Sequence, residues 1–174
     1  MLSSISGANS VTGLVFQDKN TLISCSAGDG TIKVWDLRKT YKTSKMEPNA
    51  RNTIPYSGKT AKFGFSNLML DRECVRLYAN CLDNVIYCYN ALTFDAEPVM
   101  SYVGHKNTTF YVKSCLSHDG TYLLSGSSDH NAYVWNTHHT SPLVVLKGHS
   151  AEVTCVAWQE DVEPKVVTCS DDFR

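Results

Sequence analysis

The sequence predicts an all-β propeller, a ring of small antiparallel sheets, and three observations carry that prediction. A Gly-His pair recurs 44 residues apart, at Gly104-His105 and Gly148-His149. An aspartate follows each pair at a near-constant distance, 24 residues from His105 to Asp129 and 23 from His149 to Asp172. An aromatic residue stands six positions after the acid in Asp29…Trp35, Asp83…Tyr89 and Asp129…Trp135. The phased acids at 29, 83, 129 and 172 lie 54, 46 and 43 residues apart, so the first unit carries an insertion. A repeat of this length forms one sheet that cannot bury its faces alone, so successive sheets must stack.

The period and the Gly-His/Trp-Asp signature are those of WD40 repeats. Short β-branched and aromatic runs between turn residues supply the strands. Blade one offers Val11–Phe16, Leu22–Ser26 and Thr31–Asp36, and blade two Phe65–Leu70, Leu77–Asn80 and Val85–Asn90. Blade three offers Tyr111–Leu116, Tyr122–Ser125, Ala132–Asn136 and Pro142–Leu146, and blade four Val153–Trp158 and Val166–Cys169. Approximate blade limits are 10–58, 59–103, 104–147 and 148–174, the last without its third and fourth strands. The expectation is a partial ring, the C-terminal part of a larger propeller, with a closed four-bladed ring as the alternative. The long connection Lys39–Lys59, with Lys42, Lys45, Arg51, Pro48 and Pro55, reads as a surface loop with a short outer strand.

A buried polar group needs a partner, and the repeated residues are of the types that satisfy one another. The expected set in blade three is His105 to Asp129, Ser125 to His105, and the Trp135 indole to Ser125. Blade four offers His149, Thr168 and Asp172, while blades one and two keep only Asp29 with Trp35 and Asp83 with Tyr89. A serine, a histidine and an aspartate near one another are read here as bracing, not as a nucleophilic triad.

Sixteen basic and 17 acidic residues give a formal charge of −1, which excludes a global pull toward nucleic acid or membrane. No apolar run is long enough to span a bilayer as a helix, and Met1–Ser6 lacks the pattern of a secretory signal. Seven cysteines without a Cys-x-x-Cys pair point to neither zinc nor a disulfide framework. Cys25, Cys81, Cys88, Cys155 and Cys169 read as small buried thiols on strands. Asn107-Thr108-Thr109 matches a glycosylation sequon, discounted in the absence of a secretory signal. His138-His139 lacks further ligands, so no metal and no cofactor is expected.

Blade one closes its third strand with Val34-Trp35-Asp36-Leu37-Arg38. Trp35, Asp36 and Arg38 resemble the Trp-Asp-x-Arg box of WD40 substrate receptors of cullin-RING ubiquitin ligases. Arginine presents a rigid fork of donors suited to an interface, and Asp36 is placed to orient it. The longer text is similar to the denticleless family, through Gly30–Lys39, Leu77-Tyr78-Ala79-Asn80-Cys81, Gly104–Ser114 with its Phe110-Tyr111-Val112-Lys113-Ser114 stretch, Leu124–Asp129 and Gly148–Thr154. The resemblance implies a seven-bladed ring and a non-catalytic nuclear receptor. The box would dock on the damage-specific DNA-binding adaptor subunit that bridges to the cullin-RING core. Its substrates would be degron-bearing replication proteins on the sliding clamp, a licensing factor among them, in cell-cycle and DNA-damage control. The family's second box and its clamp-contacting tail have no counterpart in this stretch.

Two alternatives stand beside that reading. One is a WD40 scaffold for chromatin or RNA-processing complexes. The other is an enzyme using the propeller channel, against which stands the lack of a Gly-rich phosphate loop or a nucleophile outside the bracing set. Substrate-face candidates are Lys106, Asn107, Tyr111, His130 and Asn131, in or beside the turns and connections of blade three, with Lys33 as a further possibility in blade one.

Overall fold

A computed structural model describes residues 10–39, 49–58, 63–159 and 165–173. Fourteen strands, β1 to β14, form three four-stranded antiparallel sheets and a final hairpin, with no helix among the described residues. The first sheet runs β1 (Val11–Asp18), β2 (Thr21–Ser26), β3 (Thr31–Asp36) and β4 (Asn52–Pro55). The second runs β5 (Phe65–Leu70), β6 (Arg76–Cys81), β7 (Val85–Asn90) and β8 (Met100–Tyr102). The third runs β9 (Ser114–Leu116), β10 (Tyr122–Ser125), β11 (Ala132–Asn136) and β12 (Val144–Leu146). β13 (Val153–Trp158) pairs with β14 (Val166–Ser170). Strand order follows sequence order in every sheet, as in propeller blades.

Two strands of the third sheet begin later than the sequence reading placed them. The innermost strand of the third sheet begins at Ser114, not Tyr111, because the Lys113 amide turns to Thr154 O of the next sheet at 2.9 Å. The fourth begins at Val144, not Pro142, which has no N–H to give a ladder. Within the long connection the outer strand is Asn52–Pro55, whose Ile54 is fully buried. Lys42, Lys45, Pro48 and Lys59 lie outside the described residues.

The core sits between sheets. Ile23, Cys25, Ile32, Val34 and Ile54 of the first sheet meet Phe65, Leu68, Leu77, Tyr87 and Tyr89 of the second. Tyr78, Ile86 and Tyr102 meet Leu123, Tyr133 and Trp135 of the third. Leu124, Ala132 and Val134 meet Val153 and Val156 of the hairpin. Strands buried on both faces explain why period-2 alternation is faint in the sequence. The outward side of the first sheet leaves Leu14 and Phe16 exposed. Of the five cysteines expected to be buried, Cys25, Cys81 and Cys88 are, but Cys155 and Cys169 are exposed. These two pair across β13 and β14 on the side of the hairpin that no described sheet covers.

The phased acids occupy equivalent corners between second and third strands. Asp29, Asp83 and Asp129 each accept, through Oδ1, the amide of the residue two positions on, Thr31, Val85 and Asn131, at 3.0, 3.1 and 3.2 Å. The residue after each acid, and after Asp172, takes a left-handed backbone: Gly30 (φ 62°), Asn84 (70°), His130 (73°) and Phe173 (61°). Asparagine and glycine suit that conformation, so Asp-Gly and Asp-Asn are themselves turn signals.

Candidate docking and substrate faces

Alternating strands divide the molecule into two faces. One, the acid-corner face, carries the turns between second and third strands and the connections from sheet to sheet. The other, the Arg38 face, carries the turns between first and second and between third and fourth strands.

On the Arg38 face, one local turn ends each third strand. Asn90 Oδ1 accepts the amide of Leu92 at 2.9 Å, Asn136 Oδ1 that of His138 at 2.9 Å, and Asp36 Oδ1 that of Arg38 at 3.1 Å. Blade one alone among these turns adds an ion pair. Arg38 Nε donates to Asp36 Oδ1 at 2.9 Å and Nη2 to Asp36 Oδ2 at 2.8 Å. The Asp36 side chain is nearly covered while that of Arg38 is 66% exposed. Bonds from the guanidinium and then from the Arg38 amide hold the Asp36 carboxyl far below its usual range. A two-point pair fixes the guanidinium plane, leaving the rest of a preorganised cation facing outward. Trp35, on the same strand, donates its indole N–H to Ser24 Oγ at 2.8 Å.

The bracing set of blade three departs from the sequence reading. His105 does not bond Asp129; its Nε2 lies 3.3 Å from Asn80 Oδ1 on the second sheet. Ser125 Oγ is engaged by Ser114 Oγ at 2.8 Å and by the Gly126 carbonyl at 2.9 Å, not by His105. Trp135 donates to the Val103 carbonyl at 3.0 Å instead of to Ser125. The physical reason is competition. Tyr133 donates to Asp129 Oδ2 at 2.6 Å, and Asn131 occupies Oδ1. Burial pushes the Asp129 carboxyl up, but the bonds from Tyr133, Ser127 and Asn131 outweigh it and hold the carboxyl below its ordinary value. In blade four, His149 Nδ1 lies 2.9 Å from Asp172 Oδ2 and Nε2 lies 2.8 Å from Thr168 Oγ1.

In blades one to three the side chain four positions on also pairs with the corner acid, which the reading by aromatics at +6 overlooked. Lys33 pairs with Asp29 at 3.0 Å, Tyr87 donates to Asp83 at 2.6 Å, and Tyr133 does the same for Asp129. The spacing Asp-x-x-x-Tyr, present twice, was the available signal. Tyr56 also donates to Asp83 Oδ2, at 2.8 Å, and burial pushes its hydroxyl up to about 12. Tyr89, by contrast, lies 3.3 Å from Ser57 Oγ.

The substrate-face candidates separate on burial. Lys106, Tyr111 and His130 are exposed on the acid-corner face, and Asn131 is half-buried against Asp129. Asn107 is corrected: it is fully buried and unavailable to a substrate or to glycosylation. Its Nδ2 donates to Ser66 Oγ (3.1 Å), Asn80 Oδ1 (3.0 Å) and Cys81 O (3.1 Å), stitching the third blade to the second. Asn107→Ala is therefore expected to cost roughly 2 kcal/mol, because it removes the donor of a buried network. Lys106→Ala is expected to leave stability unchanged, and urea midpoints of the two variants check the contrast. Among the described residues, no three His, Cys, Asp or Glu side chains come together as a metal site.

Comparison with known proteins follows the same lines. The family described as WD domain, G-beta repeat, matches residues 1–36, 96–136 and 140–174. Protein lethal(2)denticleless of Drosophila melanogaster is 57% identical over 96% of this chain and 22% of its own length. The denticleless protein homolog of Homo sapiens is 48% identical over 97% of the chain and 23% of its own length. Homolog B of Xenopus laevis is 46% identical over 97% and 24%. The chain spans about a quarter of the length of the curated relatives it matches. With its corner acids, stacked four-stranded blades and Trp-Asp-x-Arg box, the chain belongs to the denticleless family of WD40-repeat proteins.

Proposed function

We propose that this chain is the propeller segment of a non-catalytic substrate receptor for a cullin-RING ubiquitin ligase. The observation that carries the proposal is the Asp36–Arg38 pair, a cation fixed at two points yet exposed at a strand end. Family membership supports the same reading. In it, Trp35, Asp36 and Arg38 dock the damage-specific DNA-binding adaptor subunit and through it the cullin-RING core. The opposite face, with Lys106, Tyr111, His130 and Asn131, meets degron-bearing replication proteins on the sliding clamp, a licensing factor among them. Polyubiquitination of those proteins in the nucleus would then serve cell-cycle and DNA-damage control. Catalysis belongs to the ligase core, so the receptor's task is to hold two surfaces in fixed relation.

Pull-down of the adaptor and cullin by the full-length protein tests this. Arg38→Ala, and Asp36→Ala with Arg38→Ala, are expected to weaken recovery about 30-fold, the effect of losing a central arginine anchor. The fold should survive, because the pair lies at a strand end with its guanidinium mostly exposed, where an ion pair contributes little to stability. Equal recovery by wild type and double variant would overturn docking at this box. Capture of chromatin or RNA-processing proteins without a cullin would favour a scaffold of another kind.

A further inference from the structure

The acid-corner face holds an aromatic box at the joint between the first and second sheets. Tyr56 follows β4, Phe63 precedes β5 and Tyr87 lies on β7, so two blades and their connection supply the rings. Tyr56 stands edge-to-face with Phe63 at 6.0 Å and 68°, and with Tyr87 at 6.3 Å and 82°. The three rings and Asp83 line a cavity of about 730 Å³, with Asn84 and Thr108 exposed beside them. Tyr87 is buried and forms the deep wall, while Tyr56 and Phe63 are half-buried.

Bracing a corner acid does not require this many rings. Asp129 is held by Tyr133 and Asn131, and Asp29 by Thr31 and Lys33. At Asp83 the neighbouring sheet adds Tyr56, and Phe63 adds a ring with no donor to give the acid. Among the described residues that line the cavity, Asp83 is the one charged group. Aromatic faces attract cations, so rings and carboxylate favour the same sign of charge.

The carboxylate also discriminates among cations, because a carboxylate offers about four lone-pair sites. The Tyr56 and Tyr87 hydroxyls both donate to Asp83 Oδ2, at 2.8 and 2.6 Å, and the Val85 amide donates to Oδ1 at 3.1 Å. An unmodified lysine brings an ammonium with several N–H donors that need acceptors, and this carboxylate is nearly spent. A trimethylammonium brings no N–H. Its methyl groups can pack on ring faces, and Asp83 balances its charge without a hydrogen bond.

We propose that this box binds a quaternary ammonium, the side chain of a trimethylated lysine on a protein presented to the acid-corner face. Tyr56, Phe63 and Tyr87 supply the ring faces and Asp83 the counter-charge. The site lies opposite Arg38, so it does not depend on the docking reading.

The experiment uses the full-length protein and ligand-observed NMR with a short neutral peptide carrying one lysine. The lysine is trimethylated, unmodified, or replaced by its neutral tert-butyl isostere. The trimethylated peptide is expected to bind about tenfold more tightly than the other two, and to be displaced by tetramethylammonium. Phe63→Leu, which keeps apolar volume but removes the ring, should weaken it about tenfold. Tyr56→Phe keeps the ring and frees a lone pair of Asp83, so the preference for the trimethylated over the unmodified peptide should narrow. A purely structural role for Tyr56 would leave that ratio unchanged. Equal binding of the isostere would show an apolar pocket and overturn the cation site, as would equal binding of the unmodified peptide or no binding at all. Arg38→Ala is expected to bind the peptide like wild type, so failure of the aromatic box and failure of the docking box are told apart.

Discussion

Gly126→Ala is expected to destabilise the protein by roughly 3 kcal/mol, as overpacking at a site unable to relax does. Gly126 follows β10, and a Cβ there would stand 2.1 Å from the Val153 carbonyl oxygen and 2.9 Å from its carbon. Both obstructing atoms are backbone, so no rotamer change can relieve them. Moving Val153 away would stretch the bonds that tie the third sheet to the hairpin, Val153 N to Ser127 O at 3.1 Å and Lys113 N to Thr154 O at 2.9 Å. It would also open the cluster of Leu124, Val153 and Val156. The joint between the first two sheets has the same construction with the glycine on the other partner. There a Cβ on Gly64 would meet the Ala27 carbonyl oxygen at 1.8 Å. Gly120→Ala is the control: its φ of 70° is left-handed, but a Cβ would meet nothing within 4 Å. It should cost about 1 kcal/mol through backbone strain alone. Urea denaturation of the variants decides the matter, and equal loss at Gly120 and Gly126 would refute close backbone approach as the cause.

Much of the fold was legible because its signals are local. Corner acids bond an amide two residues on, and β-branched and aromatic runs lie between them, so twelve of the fourteen strands were placed to within a few residues, while the short outer strands β4 and β8 were given no bounds. The Asp36–Arg38 pair is likewise an i, i+2 arrangement, readable from five letters of sequence. What escaped was whatever joins one sheet to the next. His105 finds Asn80, 25 residues away on another sheet, and Asn107 reaches Ser66 across 41 residues. No spacing rule marks such pairs, and Asn107, inside a polar Asn-Thr-Thr run, looks like a surface residue.

Stability is expected to fall by roughly 3 kcal/mol as pH drops from 6.5 to 4, with His105 as the cause. His105 is buried, with 2% of its surface exposed, and its Nδ1 has no hydrogen-bond partner among the described residues. Its ring stands edge-on to Trp135 at 5.5 Å, an apolar setting for an imidazolium. Burial pushes its pKa down to about 4, and the charges of Asp129 and Asp83 offset only part of that. The unfolded chain, titrating near the ordinary 6.5, therefore takes up a proton that the folded chain refuses. The stabilisation is complete above pH 6.5, declines through the interval, and is spent below 4. The Asp119 carboxyl, held at about 2, acts in the opposite pH region, losing its stabilising effect only as pH falls below the ordinary carboxylate range. The two groups thus occupy separate windows, and the slope between 6.5 and 4 isolates the histidine. Urea midpoints of wild type and His105→Gln across that range make the comparison. The variant, with nothing to protonate at this position, should show a shallower dependence, and parallel curves would show that His105 is not the group responsible.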